Sequence, residues 1–496
     1  MNTKDLEIWA DSFHEGNWCC SMIADVAKKS GFRTKKTYLK GFIPYYSIYN
    51  DNECINLTVY GSYRSWSPLP QKIQDLIKWG KPDFIAYDSS SQKILFAVEE
   101  TAATPTGNQA MQRCERQYGS ARFEIPYWYL ISEYGIHRDG GVRKDSIWPT
   151  IAALKLSRLK QTPCIVLHYA DIDNPEDYNS GSGVGYLFSS LFAMLLNHAC
   201  NRPVLTNLSS LLKDQFQEML TFLEGQWQNI IDFLPGEEIV KSSKTAGILA
   251  RLTCGEIVLS NELDGFLEWP IIDDVPDDVK DEWHGKGLIK YDPLCDLFEK
   301  DIDLGKAYYL SDNAGSGKPP STQQIQKFVQ EQKKIFQHTS KLNPSASFSM
   351  KVSDFPKTNE NGDRRHLTTA KNIVYLYDSW NELRDTIVKA YPRLERHLLK
   401  RKDDIPVFVY VSNSLKPGRL FGDPFTGQLS AYSTAFGKFD KSSRLVVAYY
   451  PHQVHPQAII DGETAHNKGI TLMEELTDLI IFHAGVAVDL KTKKVM

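Results

Sequence analysis

Two short β-like runs joined by a serine turn constrain this chain most. Lys81-Pro82-Asp83 leads into the apolar run Phe84 to Tyr87. Ser89-Ser90-Ser91 then supplies turn chemistry, and Ile94 to Thr101 forms a second run that is apolar until Glu99. Side chains on a strand alternate faces, so Leu95, Ala97, Glu99 and Thr101 share one face and Ile94, Phe96, Val98 and Glu100 the other. Paired as a hairpin, the two runs bring Asp83 close to Glu99. Two carboxylates converging at a sheet end form a hard-oxygen site suited to Mg²⁺. Such an ion activates water and offsets charge on a phosphate.

Around this pair the pattern alternates strand-like and helix-like runs. Leu6 to Lys29 reads as a helix interrupted near Gly16, Asn56 to Tyr63 as a strand, and Pro70 to Trp79 as a helix. A polar helix is expected from about Asn108 to Arg122, strands at Tyr127 to Ser132 and Cys164 to Tyr169, and a helix between them at Pro149 to Lys160. Val184 to Leu196 reads as a buried helix. This alternation predicts an α/β fold with a mixed central sheet flanked by helices. Pro235, Gly236 and Ser242-Ser243 mark a boundary, giving domains at 1–235 and 236–496. The second is also mixed α/β: strands at Ile373 to Tyr377, Val407 to Val411 and Leu445 to Tyr450, and helices at Ser379 to Lys400 and Leu472 to Phe482.

Composition narrows the class of protein. A net charge of -4 excludes a uniformly basic nucleic-acid binder, though not a local basic groove. No stretch of 18 or more apolar residues occurs, so no membrane span is expected, and Met1 to Asp5 does not open a signal peptide. Eight scattered cysteines without a C-x-x-C predict neither a zinc knuckle nor a disulfide framework. A reducing, cytoplasmic setting is the expectation.

The Pro82-Asp83 strand start, the hairpin and the apolar strand ending in Glu99 resemble the PD-(D/E)XK nuclease superfamily, which includes most type II restriction endonucleases. The resemblance covers roughly Lys81 to Ser132. It implies that Asp83 and Glu99 ligate Mg²⁺, with the Glu100 carbonyl as a third oxygen. The usual lysine is replaced here by Thr101, whose hydroxyl can orient water but carries no charge. Gln112, Arg113 and Arg116, on the polar face of the following helix, are candidates to supply that role, with Lys81 as a third source of charge. An upstream acid often completes such a site, and Glu15 is the first candidate, Glu7 the second.

Other signals point away from chemistry. Gly315-Ser316-Gly317-Lys318 lacks the first glycine and the final hydroxyl of a P-loop, and reads as a loop with Ser321 or Thr322 capping the next helix. Gly181 to Gly185 reads as a helix start. His452, His455 and His466 read as a surface loop, Asp423-Pro424 does not begin a second nuclease motif, and Asp273 to Glu282 reads as solvated acid.

Two basic patches could follow DNA phosphates. One holds Lys28, Lys29, Arg33, Lys35, Lys36 and Lys40, interleaved with Tyr38, Phe42, Tyr45 and Tyr46. The other holds Arg393, Arg396, Lys400, Arg401 and Lys402, the first three on one face if the segment is helical. Arg364-Arg365-His366 could order on DNA. The expectation is a restriction-endonuclease-like core followed by a target-recognition or dimerisation domain. The function expected is Mg²⁺-dependent, sequence-specific cleavage of double-stranded DNA by a homodimer, with a cognate methyltransferase as partner. The alternatives are a defence nuclease with a sensor domain, and a catalytically silent DNA-binding protein on the same fold.

Overall fold

A computed structural model describes the chain at 2–61, 63, 69–101, 113–132, 135–136, 142–143, 160–169 and 183–205, with further positions between 149 and 157. In the second half it describes 297–298, 310–312, 321–344, 347–348, 351–354, 365–367, 373–377, 379–402, 407–412, 444–449, 477–482 and 484–496, with isolated positions between 427 and 476. Gln112, Asp273 to Glu282, Gly315 to Lys318, Arg364, Asp423-Pro424, His452, His455 and His466 lie outside these residues. The chain divides into two compact units. The first comprises Met1–Ala103, Arg113–Glu133 and Pro149–Phe222, and the second comprises the rest.

The first unit is built on an eight-stranded mixed sheet. Its strands are β1 (Asn2–Ala10), β2 (Arg33–Leu39), β3 (Ile43–Tyr49), β4 (Glu53–Tyr60), β5 (Phe84–Asp88), β6 (Lys93–Thr101), β7 (Tyr127–Ser132) and β10 (Cys164–Tyr169). They lie in the order β10-β7-β6-β5-β1-β4-β3-β2. β6, β7 and β10 run parallel, β5 is antiparallel to both β6 and β1, and β1 is parallel to β4. Its helices are α1 (Phe13–Lys29), α2 (Gln71–Ile77), α3 (Cys114–Arg122) and α4 (Gly183–Ala199). The described positions between Pro149 and Lys160 are helical too. A short ribbon, β8 (Gly135–Ile136) with β9 (Val142–Arg143), falls among the residues of the second unit.

Burial decides which face each strand presents. Leu6, Ile8 and Ala10 of β1, Phe84 and Ala86 of β5, Phe96 and Val98 of β6, and Trp128 and Leu130 of β7 form one core. α1 and α4 cover it with Cys19, Ile23, Leu187, Phe188 and Leu191. Burying each Leu, Ile, Val or Phe side chain among them is worth about 1.5–3 kcal/mol. Gly16 lets α1 press closely on the sheet, since a Cβ there would lie 2.7 Å from Val59 and 3.1 Å from Ala10. The residues between these on each strand turn to the opposite face, where the candidate site lies.

One expectation in this region needs correction. Leu6 to Ala10 is strand rather than the start of a helix, and α1 begins only at Phe13. The reason is visible in the burial. Leu6, Ile8 and Ala10 alternate into the core, and Ser12 caps α1 by accepting the Glu15 N–H at 3.2 Å.

Far from the hairpin's open end, Asp88 ties three elements together. Its fully buried carboxylate accepts from Lys4 Nζ at 2.7 Å, Ser90 Oγ at 2.6 Å and Ser91 Oγ at 2.7 Å, and pairs with His198 Nε2 at 2.8 Å. Burial would raise the Asp88 carboxyl, but these partners hold it far below the ordinary carboxylate range. A depressed folded value adds stability above the unfolded value near pH 4 and loses it as pH falls. Asp88→Asn is therefore expected to cost about 3 kcal/mol near neutrality. The deficit should shrink below about pH 4, as read from urea midpoints between pH 3 and 8. An unchanged deficit across that range would mean that shape, not charge, holds the turn.

The second unit carries a seven-stranded sheet in the order β11-β14-β15-β16-β17-β18-β19. Its strands are β11 (Leu297–Phe298), β14 (Ile373–Tyr377), β15 (Val407–Ser412), β16 (Arg444–Tyr449), β17 (Leu479–Phe482), β18 (Ala487–Asp489) and β19 (Lys494–Val495). A separate pair joins β12 (Leu310–Asp312) to β13 (Arg365–Leu367). α5 (Thr322–Thr339) and α6 (Trp380–Ala390) contribute Ile325, Phe328, Trp380, Leu383 and Ile387 to its core. Ser321 caps α5 as expected, accepting the Gln324 N–H at 3.1 Å while its own N–H donates to Gln324 Oε1 at 2.7 Å.

Two second-half expectations are also corrected. Leu472 to Phe482 is not one helix, because Leu479–Phe482 is a fully buried strand paired with β16 and β18. The helix from Ser379 does not reach Lys400. It ends at Ala390, and Pro392, which lacks an N–H, opens a 3₁₀ turn over Pro392–Leu394. Arg393, Arg396 and Lys400 therefore do not share a helical face. Arg393 donates to the carbonyls of Ala484 at 2.9 Å and Gly485 at 3.2 Å, Lys400 lies 3.8 Å from Asp385, and Arg396 is exposed.

Candidate functional site

β5 and β6 pair as an antiparallel hairpin in which Phe84 opposes Val98 and Ile85 opposes Ala97. Extending that register places Asp83 opposite Glu99. The Asp83 carboxylate accepts the Glu100 N–H at 2.5 Å, and the Asp83 carbonyl accepts the Asp11 N–H at 3.0 Å. The second bond fixes the start of β5 beside the start of α1. Tyr63, itself buried, donates its hydroxyl to the Pro82 carbonyl at 2.7 Å.

Glu99 is fully buried, and both Arg113 and Arg116 donate to its Oε1. Arg113 also reaches the Glu100 carbonyl at 3.2 Å. The two arginines flank the first turn of α3 at a spacing of three, so one carboxylate can receive both. Gly80 makes room for this. Its φ of +151° suits only glycine well, and a Cβ there would lie 2.4 Å from the Arg116 side chain. Gly119 likewise admits Trp79, seating α3 against the segment that precedes β5.

The electrostatics are uneven. Burial pushes the Asp83 carboxyl well above the ordinary carboxylate range, and the Glu99 charge pushes it further, with a smaller contribution from Glu15. The Glu100 N–H and Arg113 oppose this. Burial alone would lower both guanidiniums, yet Glu99 holds them above their usual value. Tyr63, Tyr127 and Tyr129 are raised first by burial, with the acids of the site adding to it. Glu99 Oε2 is buried and has no hydrogen-bond partner among the described residues. Acceptor capacity is therefore left over beside a carboxyl whose charge is only partly compensated.

Several sequence-predicted residues meet here. Asp83, Glu99, Arg113 and Arg116 converge, and the Glu100 carbonyl joins them through Arg113. Thr101 lies on the same strand face as Glu99 and is only 2% exposed. Glu15 stands in the first turn of α1, where it accepts the Ser12 hydroxyl at 2.9 Å, close enough to act on Asp83. Glu7 lies about 13 Å farther along the sheet by strand rise and accepts from Trp9 instead. Lys81 is half-buried and makes no hydrogen bond or ion pair among the described residues. Glu100 turns its side chain to the opposite sheet face, where Tyr169 donates to it.

Sequence reading missed Tyr63, Tyr169 and Gly80. Gly80, immediately before Lys81, was the one that adjacency could have flagged. Among the described residues, no group of three or more His, Cys, Asp or Glu is arranged to hold a metal. No helix among them is long and apolar enough to cross a membrane. The chain matches no family model, no curated protein and no solved structure.

Proposed function

We propose that this chain is a Mg²⁺-dependent endonuclease of the PD-(D/E)XK type that cleaves double-stranded DNA. Its specific form would be a type II restriction enzyme acting as a homodimer beside a cognate methyltransferase. The observation that carries the reading is the convergence of Asp83 and Glu99 at the open end of one hairpin, with two arginines delivered to the same point by the next helix.

The donor set fits a hard divalent cation. Glu99 raises the cost of ionising Asp83, and Glu99 Oε2 has an unused lone pair in a buried place. Mg²⁺ commonly takes only one or two protein carboxylates and keeps several waters, so two carboxylates and the Glu100 carbonyl suffice. When bound, the ion supplies an activated water and offsets charge on the phosphate.

The chain's own residues do the remaining work. Arg113, 31% exposed at its side chain against 15% for Arg116, is the guanidinium better able to turn towards a phosphate. Arg116 stays on Glu99 and holds that carboxylate in place. The Thr101 hydroxyl orients water once substrate opens the strand end. Glu15, held by Ser12, adds negative charge at the rim.

The test is a digest of plasmid and phage DNA with Mg²⁺, with EDTA, and with Asp83→Ala. Discrete fragments that disappear in both controls are expected. A smear with the same dependence would remove sequence specificity from the proposal. No cleavage with any divalent metal, but a retained gel shift, would leave only the silent DNA-binding alternative.

A further inference from the structure

The β2–β3 hairpin carries an exposed aromatic and basic tip that the hydrolytic site does not use. Tyr38 is 60% exposed and Phe42 88%, with Leu39 at 44% between them. Apolar surface left this exposed at a strand tip contributes little burial to folding. Its backbone is also unusual for an aromatic residue. The turn closes with the Phe42 N–H donating to the Leu39 carbonyl at 3.1 Å, and φ is +84° at Gly41 and +61° at Phe42. A bulky residue rarely adopts the left-handed region, and here no packing holds it there. Asn or Gly would make the same turn at less cost.

The surroundings are cationic. Lys28 and Arg33 are neutralised by Asp25 and Asp51. Lys35 and Lys40 are exposed and have no partner among the described residues. Lys36 sits 5.5 Å from the Tyr38 ring centroid and 5.3 Å from that of Tyr46, and donates to Asn17 Oδ1 at 2.8 Å. The Tyr46 hydroxyl donates to the same oxygen at 2.9 Å. The Asn17 side-chain carbonyl is thereby spent, and its amide N–H₂ has no acceptor among the described residues. Between the hairpin and α1 lies an open pocket of about 390 Å³, lined by Phe13, His14, Asn17, Tyr38, Phe42 and Pro44 among others. Aromatic faces, an unspent amide donor and unpaired lysines together complement one kind of ligand: a nucleotide with a free base face, acceptor edges and a phosphate.

We propose that the β2–β3 hairpin grips an unstacked nucleotide, with Phe42 and Tyr38 stacking on the base, Asn17 reading its edge, and Lys35 and Lys40 on the flanking phosphates. This rests on the nucleic-acid reading above. It adds a preference for unpaired bases that the hydrolytic site alone does not predict. α1 links the two features, since its first turns supply Glu15 to the acidic site and His14 and Asn17 to the pocket.

Fluorescence anisotropy in EDTA tests it on the full chain. The probes are a 12-nucleotide single strand, a duplex with one bulged nucleotide, and the same duplex fully paired. Wild type is expected to prefer the first two. Phe42→Asn, which suits a positive φ, and Tyr38→Ala should each weaken those two by about 5- to 100-fold while sparing the paired duplex. Lys35→Gln with Lys40→Gln should weaken all three and flatten the salt dependence. Unfolding midpoints should be no lower for Phe42→Asn than for wild type. Equal binding by Phe42→Asn and wild type, or a preference for the paired duplex, would overturn the proposal. So would a fall in sedimenting mass for Phe42→Asn with unchanged affinity, which would make the tip a contact between copies. Asp83→Asn, run alongside, separates the two readings: it should keep the preference for unpaired bases even if no metal supports cleavage by wild type.

Discussion

Glu99→Gln is expected to unfold about 3–5 kcal/mol more easily than wild type, besides losing the cleavage proposed above. The side chain is fully buried, and glutamine keeps its shape and its Oε1 acceptor. What it removes is the charge that holds Arg113 and Arg116 in one place. Without it, two mutually repelling guanidiniums stay half-buried, with a neutral glutamine oxygen and the Glu100 carbonyl as acceptors and only Asp83 and Glu115 nearby to offset their charge. Taking one partner from a buried ion pair costs more than the pair was worth, because the other is left uncompensated. Urea unfolding followed by the fluorescence of the full chain measures this, using whichever transition the substitution shifts, because the chain has two units. Adding Arg113→Gln and Arg116→Met to Glu99→Gln should recover most of the loss. If Glu99→Gln is as stable as wild type, the arginines do not anchor α3 to β6.

The site was legible where its parts lie close in sequence. Asp83, the serine turn and Glu99 fall within one hairpin, whose pairing is set by short-range turn chemistry and an apolar pattern. Arg113 and Arg116 followed from helical spacing together with the resemblance, which leaves a charge to be supplied from the next helix. The missed partners are distant along the chain. Tyr169 reaches Glu100 only because β10 lies two strands away across β7. The Asp88 cluster joins Lys4 to His198, and no local pattern connects them.

Errors of element type have a common cause. In Leu6 to Ala10 a strand runs almost directly into α1, so period-two burial was absorbed into the longer helical pattern. In Leu479–Phe482 every residue is buried, and a short, wholly apolar run shows no period at all. For Arg393 to Lys400, the charges were read at helical spacing although they lie beyond a proline where the helix has already ended. Pro392 was the available signal, and it outweighs spacing because it removes a donor and crowds the preceding turn.

Asp83→Asn is expected to raise stability at neutral pH while abolishing the proposed cleavage and the proposed response to Mg²⁺. Asp83 is held beside Glu99 by the Glu100 and Asp11 N–H groups, and its folded carboxyl lies well above the unfolded value. A raised carboxyl contributes stability that is complete below the unfolded value near pH 4 and is lost as pH rises through the folded one. At pH 7 wild type has lost some or all of that contribution, whereas asparagine stays neutral and still accepts the Glu100 N–H. The two chains should therefore have equal midpoints near pH 4 and diverge above it, by about 2–4 °C for each kcal/mol in a unit of this size. Mg²⁺ should then act on wild type alone, since a cation bound to the folded state stabilises it by mass action and relieves the same repulsion. An equal Mg²⁺ response in both chains would place the ion elsewhere. No divergence above pH 4 would mean that Asp83 is already compensated, by Arg113 or by solvent. A variant more stable than its parent yet inert towards both metal and DNA would show that the cost of holding two acids together is retained for function, not for folding.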